Sequence, residues 1–277
     1  MKRSPIITAI LSVFKKELKI FLRYPSWFIA MLIWPIIFPF GYLFTAKALS
    51  GTDGQSLAAF SNISGTSDYI SFMLIGTTMW MIMNTMLWSF GTSLRTEQIR
   101  GTLESNWLCP VPKITILLGH SLWEIFFNII FLTITAIEFK LVYNFKFIGS
   151  PLLSFLIIII SIPSIYGIGF IFASLVMWQK ETNSMVFLVR GIMSVFCGIT
   201  YPLAVLPNWM GNISKVIPLT HSISALRSVI STGATLADIK SQIYYLIFSG
   251  IILMALGFLA FNFTQRKVKE SGSLGHF

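Results

Sequence analysis

The sequence predicts an all-α integral membrane protein with six transmembrane helices. To these it adds an N-terminal amphipathic interfacial helix and re-entrant outer helices between spans five and six. Three observations carry this. Six apolar stretches, 26–47, 68–94, 116–139, 151–176, 185–206 and 243–263, are each long enough to cross a bilayer, which takes about 20 residues at about 1.5 Å per residue. The composition is 55% hydrophobic and 15% aromatic with only 11% charged residues, against about 25% charged in soluble domains, so the chain cannot cover itself with water-facing side chains. Runs such as Leu152 to Ile160 do not alternate in polarity, which selects helices over a closed barrel, the other fold that satisfies every backbone group in lipid.

Orientation follows from the lysines and arginines. Lys2, Arg3, Lys15, Lys16, Lys19 and Arg23 precede the first span, Arg95, Arg100 and Lys113 follow the second, Lys180 follows the fourth, and Arg266, Lys267 and Lys269 follow the sixth. The opposite connections hold fewer, so the excess marks the cytoplasmic side and places both termini there. The net charge of +10 is therefore mostly a topology signal. Its basic residues flank spans and form no groove for nucleic acid.

In chain order, residues 1–25 lack the apolar core and small-residue cleavage site of a signal peptide. Ser4-Pro5 is a good helix start. From there Ile7, Ile10, Leu11, Phe14, Leu18, Phe21 and Leu22 recur at helical spacing, Lys15, Lys19 and Arg23 line another side, and Pro25 ends the helix. This is an amphipathic helix on the inner membrane surface, with lysines near anionic headgroups. Residues 48–67, rich in Gly, Ser, Thr and Asn, read as a solvated outer loop. The inner segment 95–115 offers Arg95, Glu97, Arg100 and Glu104 as charges of both signs, with Arg95 to Glu104 forming a short helix that projects from the second span. Residues 142–150 and 177–184 are short turns.

The stretch 202–242 is too long and too apolar for a turn. Pro202, Pro207 and Pro218 divide it, since each proline disfavours helix at the preceding residue. Asn208 to Ile217 and Leu219 to Ile230 are each about a helix long, with Leu219, Ile223, Leu226 and Ile230 on one face of the latter. Gly233 is a helix stop, and Thr235 to Asp238 reads as a capping box opening the last helix. Two short helices dipping into the outer leaflet form an external gate, or a cap that only packs.

Within the membrane, His120, Glu124 and Asn128 form a polar strip on the third span. It reads as helix-to-helix hydrogen bonding, or as a face on a water-accessible cavity that relays a proton. Arg190 lies near enough to the inner end of its span to snorkel. The second span holds Met73, Met79, Met81, Met83 and Met86 with Trp80 and Trp88; Met81, Asn84, Trp88 and Arg95 share a face. Thioethers suit a surface for varied apolar ligands and equally suit packing. Cys109 and Cys197 are too far apart to pair, no metal-ligand spacing surrounds either, and no repeat divides residues 1–277, which read as one membrane domain.

Two sets of motifs carry a resemblance. Glu97, Gly101, Thr102, Glu104 and Pro110 match the pattern E-x-x-x-G-T-x-E followed by proline. Tyr201-Pro202, Leu206-Pro207-Asn208-Trp209, Pro218-Leu219-Thr220 and Ala225-Leu226-Arg227 match an outer segment. In these and in its layout the chain resembles the permease subunit of a type-2 family ABC exporter, departing at Ser105-Asn106-Trp107 and at His221. The resemblance implies a partner ABC ATPase subunit that holds ATP and Mg, none being bound by this chain. It also implies a second permease copy or paralogue, and the plasma (inner) membrane. The chain itself carries no G-x-x-x-x-G-K-[ST] phosphate loop, so it is not expected to be an enzyme. Arg95, Glu97, Arg100, Gly101, Thr102 and Glu104 are the implied ATPase-coupling residues, and Pro202, Pro207, Trp209 and Pro218 the external gate. Because the second and fifth spans of such proteins meet around the substrate path, Met81, Asn84, Trp88 and Phe196 are its candidate lining. The cargo expected is amphipathic, a drug, antibiotic or lipid-like molecule moved outward, with lipid-linked polysaccharide as the alternative. An ATP-independent channel or scaffold is less expected: no pore loop repeats, and His120-Ser-Leu-Trp-Glu124 is no H-E-x-x-H metal pair.

Overall fold

The computed structural model describes residues 5–49, 55–64, 66, 68–99, 101, 105, 108–112, 114–145, 147–179 and 183–270. Among them all regular structure is helical. The helices are α1 (Pro5–Arg23), α2 (Pro25–Leu49), α3 (Gln55–Ser64), α4 (Tyr69–Ile99), α5 (Ile114–Val142), α6 (Pro151–Gln179), α7 (Asn183–Phe196), α8 (Asn208–Ser214), α9 (Pro218–Thr232) and α10 (Lys240–Glu270), with a 3-10 turn at Leu203–Val205. Five of them, α2, α4, α5, α6 and α10, are long and apolar enough to cross a membrane.

α4 is the central helix. Met73, Met79, Met81 and Met83 are each 1% exposed, and Leu74, Met86 and Leu87 fully buried, because α2, α5, α6, α7 and α9 all pack on it. The methionines of the second span therefore fill the core of the chain itself, as flexible thioethers do well. α6 and α10 form the closest pair. A Cβ added at Gly167 would lie 2.5 Å from the Leu253 carbonyl carbon, and one at Gly257 2.7 Å from the Gly167 oxygen. Without the hydrophobic effect to drive helices together in lipid, such small residues let dispersion between backbones do it.

α1 begins at Pro5 and ends where Pro25, lacking an N–H, stops the hydrogen-bond ladder; only Tyr24 separates it from α2. α9 starts at Pro218 and closes at Gly233, whose φ of 68° places it in the left-handed region while its N–H bonds the Val229 carbonyl. Leu219, Ile223, Leu226 and Ile230 are buried as their spacing requires. The Ser222 hydroxyl donates to Ser161 of α6 at 2.7 Å, and the Ile148 N–H bonds the Ile230 carbonyl at 3.1 Å, tying the 143–150 turn to α9.

The structure departs from the sequence expectations at four places. The expected loop 48–67 contains α3. The short helix expected to project from the second span over Arg95 to Glu104 is described only to Ile99, where it is the unbroken end of α4. The apolar stretch 185–206 is helical only to Phe196, because Gly198 takes φ 61° and unwinds the backbone. The Thr235–Asp238 box is present, with Asp238 Oδ2 accepting from the Thr235 N–H and hydroxyl at 2.8 Å. It caps a turn, however, and α10 starts only at Lys240.

Candidate functional site

The densest charged cluster lies where α1 crosses the far ends of α4 and α5. Gly119 sets that crossing: a Cβ there would lie 2.5 Å from Val13 Cβ and 3.1 Å from the Ile10 carbonyl oxygen. With α1 so close, Phe14 meets Trp123 and Phe126 at ring separations of 5.9 and 5.6 Å, and Phe21 meets Trp123 and Phe127 at 5.6 and 5.7 Å. This aromatic seam turns Lys16 and Glu17 inward. Lys16 Nζ donates to Glu97 Oε1 of α4 and lies 3.1 Å from Glu17 Oε1. His120 Nδ1 of α5 lies 3.5 Å from the same Glu17 oxygen. Glu97 is 4% exposed, and a carboxylate so buried needs a partner such as Lys16. Glu17, Glu97 and His120 each bring one potential metal-ligating atom within 4.8 Å of the others, and the Lys16 ammonium already supplies a cation to both carboxylates.

Of the six residues expected to couple to an ATPase, the structure shows Glu97 in this cluster and Gly101 at a turn with φ 67° and open space around it. Arg100, Thr102 and Glu104 lie outside the described residues, as does the side chain of Arg95. Sequence reasoning missed Lys16 and Glu17, reading α1 only through its basic stripe. The available signal was that Glu17 is the one acid in that helix.

His120, Glu124 and Asn128 are 8%, 7% and 7% exposed, so the strip faces the bundle interior. Asn128 Nδ2 bonds back to the Glu124 carbonyl at 2.9 Å. Glu124 faces Ser89 of α4 and Asn128 faces Tyr166 of α6. Glu124 Oε2, Asn128 Oδ1 and the Tyr166 hydroxyl are buried without hydrogen-bond partners among the described residues. The strip thus continues the α1 cluster inward as a buried polar seam between α4, α5 and α6.

The expected path residues separate. Met81 is sealed in the core. Asn84 and Trp88 lie on the half-buried side of α4, with Trp88 against Phe187 of α7 at 6.1 Å. The Arg190 guanidinium lies 5.0 Å from the Trp80 ring and 5.5 Å from Phe187, and Trp80 stacks on Phe38 of α2 at 4.8 Å. Asn84 Oδ1 and Arg190 Nε have no hydrogen-bond partner among the described residues. Phe196 ends α7 against the 62%-exposed Trp209, at 6.3 Å. Of the other gate residues, Pro202 is half-buried, Pro207 exposed and Pro218 buried.

Arg227 of α9 ties this region together. Its Nη1 donates to the Gly198 carbonyl (2.8 Å), its Nη2 to Ile199 (2.7 Å) and Phe72 (3.1 Å), and its Nε to Phe72 (3.3 Å). Unwinding after Phe196 leaves carbonyls without helical partners, and Arg227 satisfies two of them. Gly76 makes the space: a Cβ there would lie 2.0 Å from the Ile199 oxygen and 2.5 Å from Arg227 Nη2. In the sequence Arg227 stood only as one basic residue of a motif.

A protein-family model described as ABC-2 type transporter matches residues 8–231. The matched segment runs from the start of α1 to the end of α9, and so takes in the charged cluster, the α4–α7 face and the Arg227 clamp. No curated protein matches the chain.

Proposed function

The chain belongs to the ABC-2 type transporter family, and we propose that it is the membrane-spanning subunit of an ATP-driven exporter whose ATP and Mg are held by a separate ATPase chain. The observation that carries the proposal is the Lys16–Glu97 ion pair between α1 and the end of α4. α4 has 31 residues, about 46 Å at the helical rise, so about 16 Å of it stands beyond a hydrocarbon core of about 30 Å. A helix that is continuous from the core to this extension transmits displacement at one end to the other. Arg95, Arg100, Thr102 and Glu104 around the Gly101 turn dock on the ATPase, and the Lys16–Glu97 pair makes α1 move with α4.

α7 and the segment 197–206 serve as the sixth crossing. The 14 residues of α7 rise only about 21 Å, and unwound backbone at membrane depth is tolerated only when buried in protein. Burial of Cys197 and Ile199 and the Arg227 clamp meet that requirement. α8 and α9 are then the re-entrant external gate, and both termini are cytoplasmic. A second permease copy or paralogue covers the α4–α7 face, and an amphipathic cargo passes between the two towards α9. Lipid-linked polysaccharide is the second reading, favoured by the polar pocket around Arg227 described next.

The experiment is transport by inverted vesicles carrying the chain with and without its ATPase. Accumulation that needs the ATPase and ATP supports the proposal. Equal flux without either makes the chain a channel.

A further inference from the structure

At the α9 end of the bundle a cavity of about 270 Å³ lies between the end of α3, the start of α4, the 3-10 turn and one face of α9. From α9 it takes Thr220, Ser224, Arg227, Ser228 and Ser231, whose spacing of three and four residues places them on one side of the helix. Four of the five guanidinium donors of Arg227 engage backbone carbonyls. Carbonyl dipoles orient the cation without neutralising it, and no carboxylate among the described residues lies within ion-pair distance. None of the cavity's lining residues is acidic, and Asp68, between Thr66 and Phe72 of that lining in the sequence, accepts instead from the Ser71 N–H and hydroxyl. Ser231 Oγ is buried without a hydrogen-bond partner among the described residues, as is Thr220 Oγ1, which sits beside the Cys197 thiol. The guanidinium also lies over the Phe72 ring, 3.3 Å from its centroid, which stabilises the charge without neutralising it. A buried cation with no counter-anion and an orphan Ser231 hydroxyl are both unfavourable, and a single bound anion relieves both.

We propose that this pocket binds a phosphoryl group, with Arg227 supplying the charge and Ser224, Ser228 and Ser231 the hydroxyl donors. Three serines and one guanidinium lining the same cavity match the several acceptor oxygens of a phosphate better than the two of a carboxylate. The phosphoryl group belongs to a lipid headgroup, to a lipid-linked cargo or to free phosphate. Arg227 thus has two roles: its carbonyl contacts close the unwound end of α7, and its charge faces the pocket. Binding here is independent of the transport reading, because it is measured without ATP or an ATPase.

The test titrates the full-length chain, in a neutral detergent, with inorganic phosphate, dihexanoyl phosphatidylglycerol and uncharged dihexanoylglycerol by calorimetry. Saturable binding of phosphatidylglycerol, with none of dihexanoylglycerol, is the expected result. If inorganic phosphate binds as well, the site takes the free anion; if it does not, the site takes the group only on a lipid. Ser231→Ala should weaken binding about tenfold, the scale of one hydrogen bond to a charged group, while leaving the melting temperature of the free protein equal or higher because an orphan hydroxyl is gone. Ser228→Leu should abolish binding by filling the cavity; where that variant fails to fold, Ser231→Ala decides alone. Failure of both phosphates to saturate, dihexanoylglycerol binding as well as phosphatidylglycerol, or unchanged affinity in Ser231→Ala overturns the proposal.

Discussion

Lys16 and Glu97 lie 81 positions apart in the chain, yet they make the contact on which the α1–α4 connection turns. The pair is half open to solvent on the lysine side, 37% against 5% for the glutamate side chain, so its net contribution to stability is small, about 1 kcal/mol or less. On the proposed coupling role, its effect on transport should be larger. Glu97→Lys sets two ammonium groups together and should lower ATP-driven transport about 5- to 150-fold, the range of typical coupling free energies. Lys16→Glu in the same chain should restore much of it, a double-mutant cycle that a purely local packing defect does not produce. Gly76 is the second residue of this kind. Gly76→Ala forces a methyl into the Ile199 carbonyl and the Arg227 guanidinium and should cost about 1–3 kcal/mol, read as a lowered melting temperature in detergent. Gly41→Ala, where a Cβ meets nothing within 4 Å, should leave the melting temperature unchanged.

At the scale of elements, the end of α4 is set by Gly101. Its φ of 67° with open space around it means that a side chain there meets backbone strain and no crowding, about 1–2 kcal/mol confined to the turn. Gly101→Leu and Glu104→Lys should therefore fold and insert normally but hydrolyse ATP, with the partner, without transport; normal transport by either makes the turn a mere connector. α1, α2, α5, α6, α9 and α10 were legible in the sequence to within a few residues, because proline starts, a glycine stop and long apolar runs are local signals. What was not legible depended on distant partners. α7 reads as one apolar run to residue 206; the local signal at Gly198 does not stand out in so apolar a stretch, and the Arg227 clamp that holds the unwound backbone comes from 29 residues away. Likewise Met81, Asn84 and Trp88 lie at helical spacing, but only the packing of neighbours on α4 seals the first and leaves the other two towards α7.

At the scale of the whole molecule, the proposed second permease copy or paralogue would sit on the α4–α7 face, where Phe187 and Leu188 are exposed. Asn84 Oδ1 and Arg190 Nε have no hydrogen-bond partner among the described residues, and buried polar groups are rarely left so. On the proposed reading, native mass measurement of the complex should find two permeases per assembly. One permease per assembly contradicts this. If cargo passes along this face as proposed, its aromatic and amide groups, with Arg190 lying over Trp80 and Phe187, should favour amphipathic molecules over small ions.

The most direct test is ATPase-linked transport in proteoliposomes that contain the chain with its ATPase, across a panel of amphiphiles, sugars and ions. Stimulation of ATP hydrolysis by amphiphiles, their accumulation in inside-out vesicles, and loss of both in Trp88→Ala are the expected results. Stimulation by a small ion alone, abolished by Arg190→Ala and indifferent to Met81→Ala and Trp88→Ala, or flux that persists without the ATPase, contradicts the assignment of this chain as the membrane half of an ATP-driven exporter of amphipathic cargo.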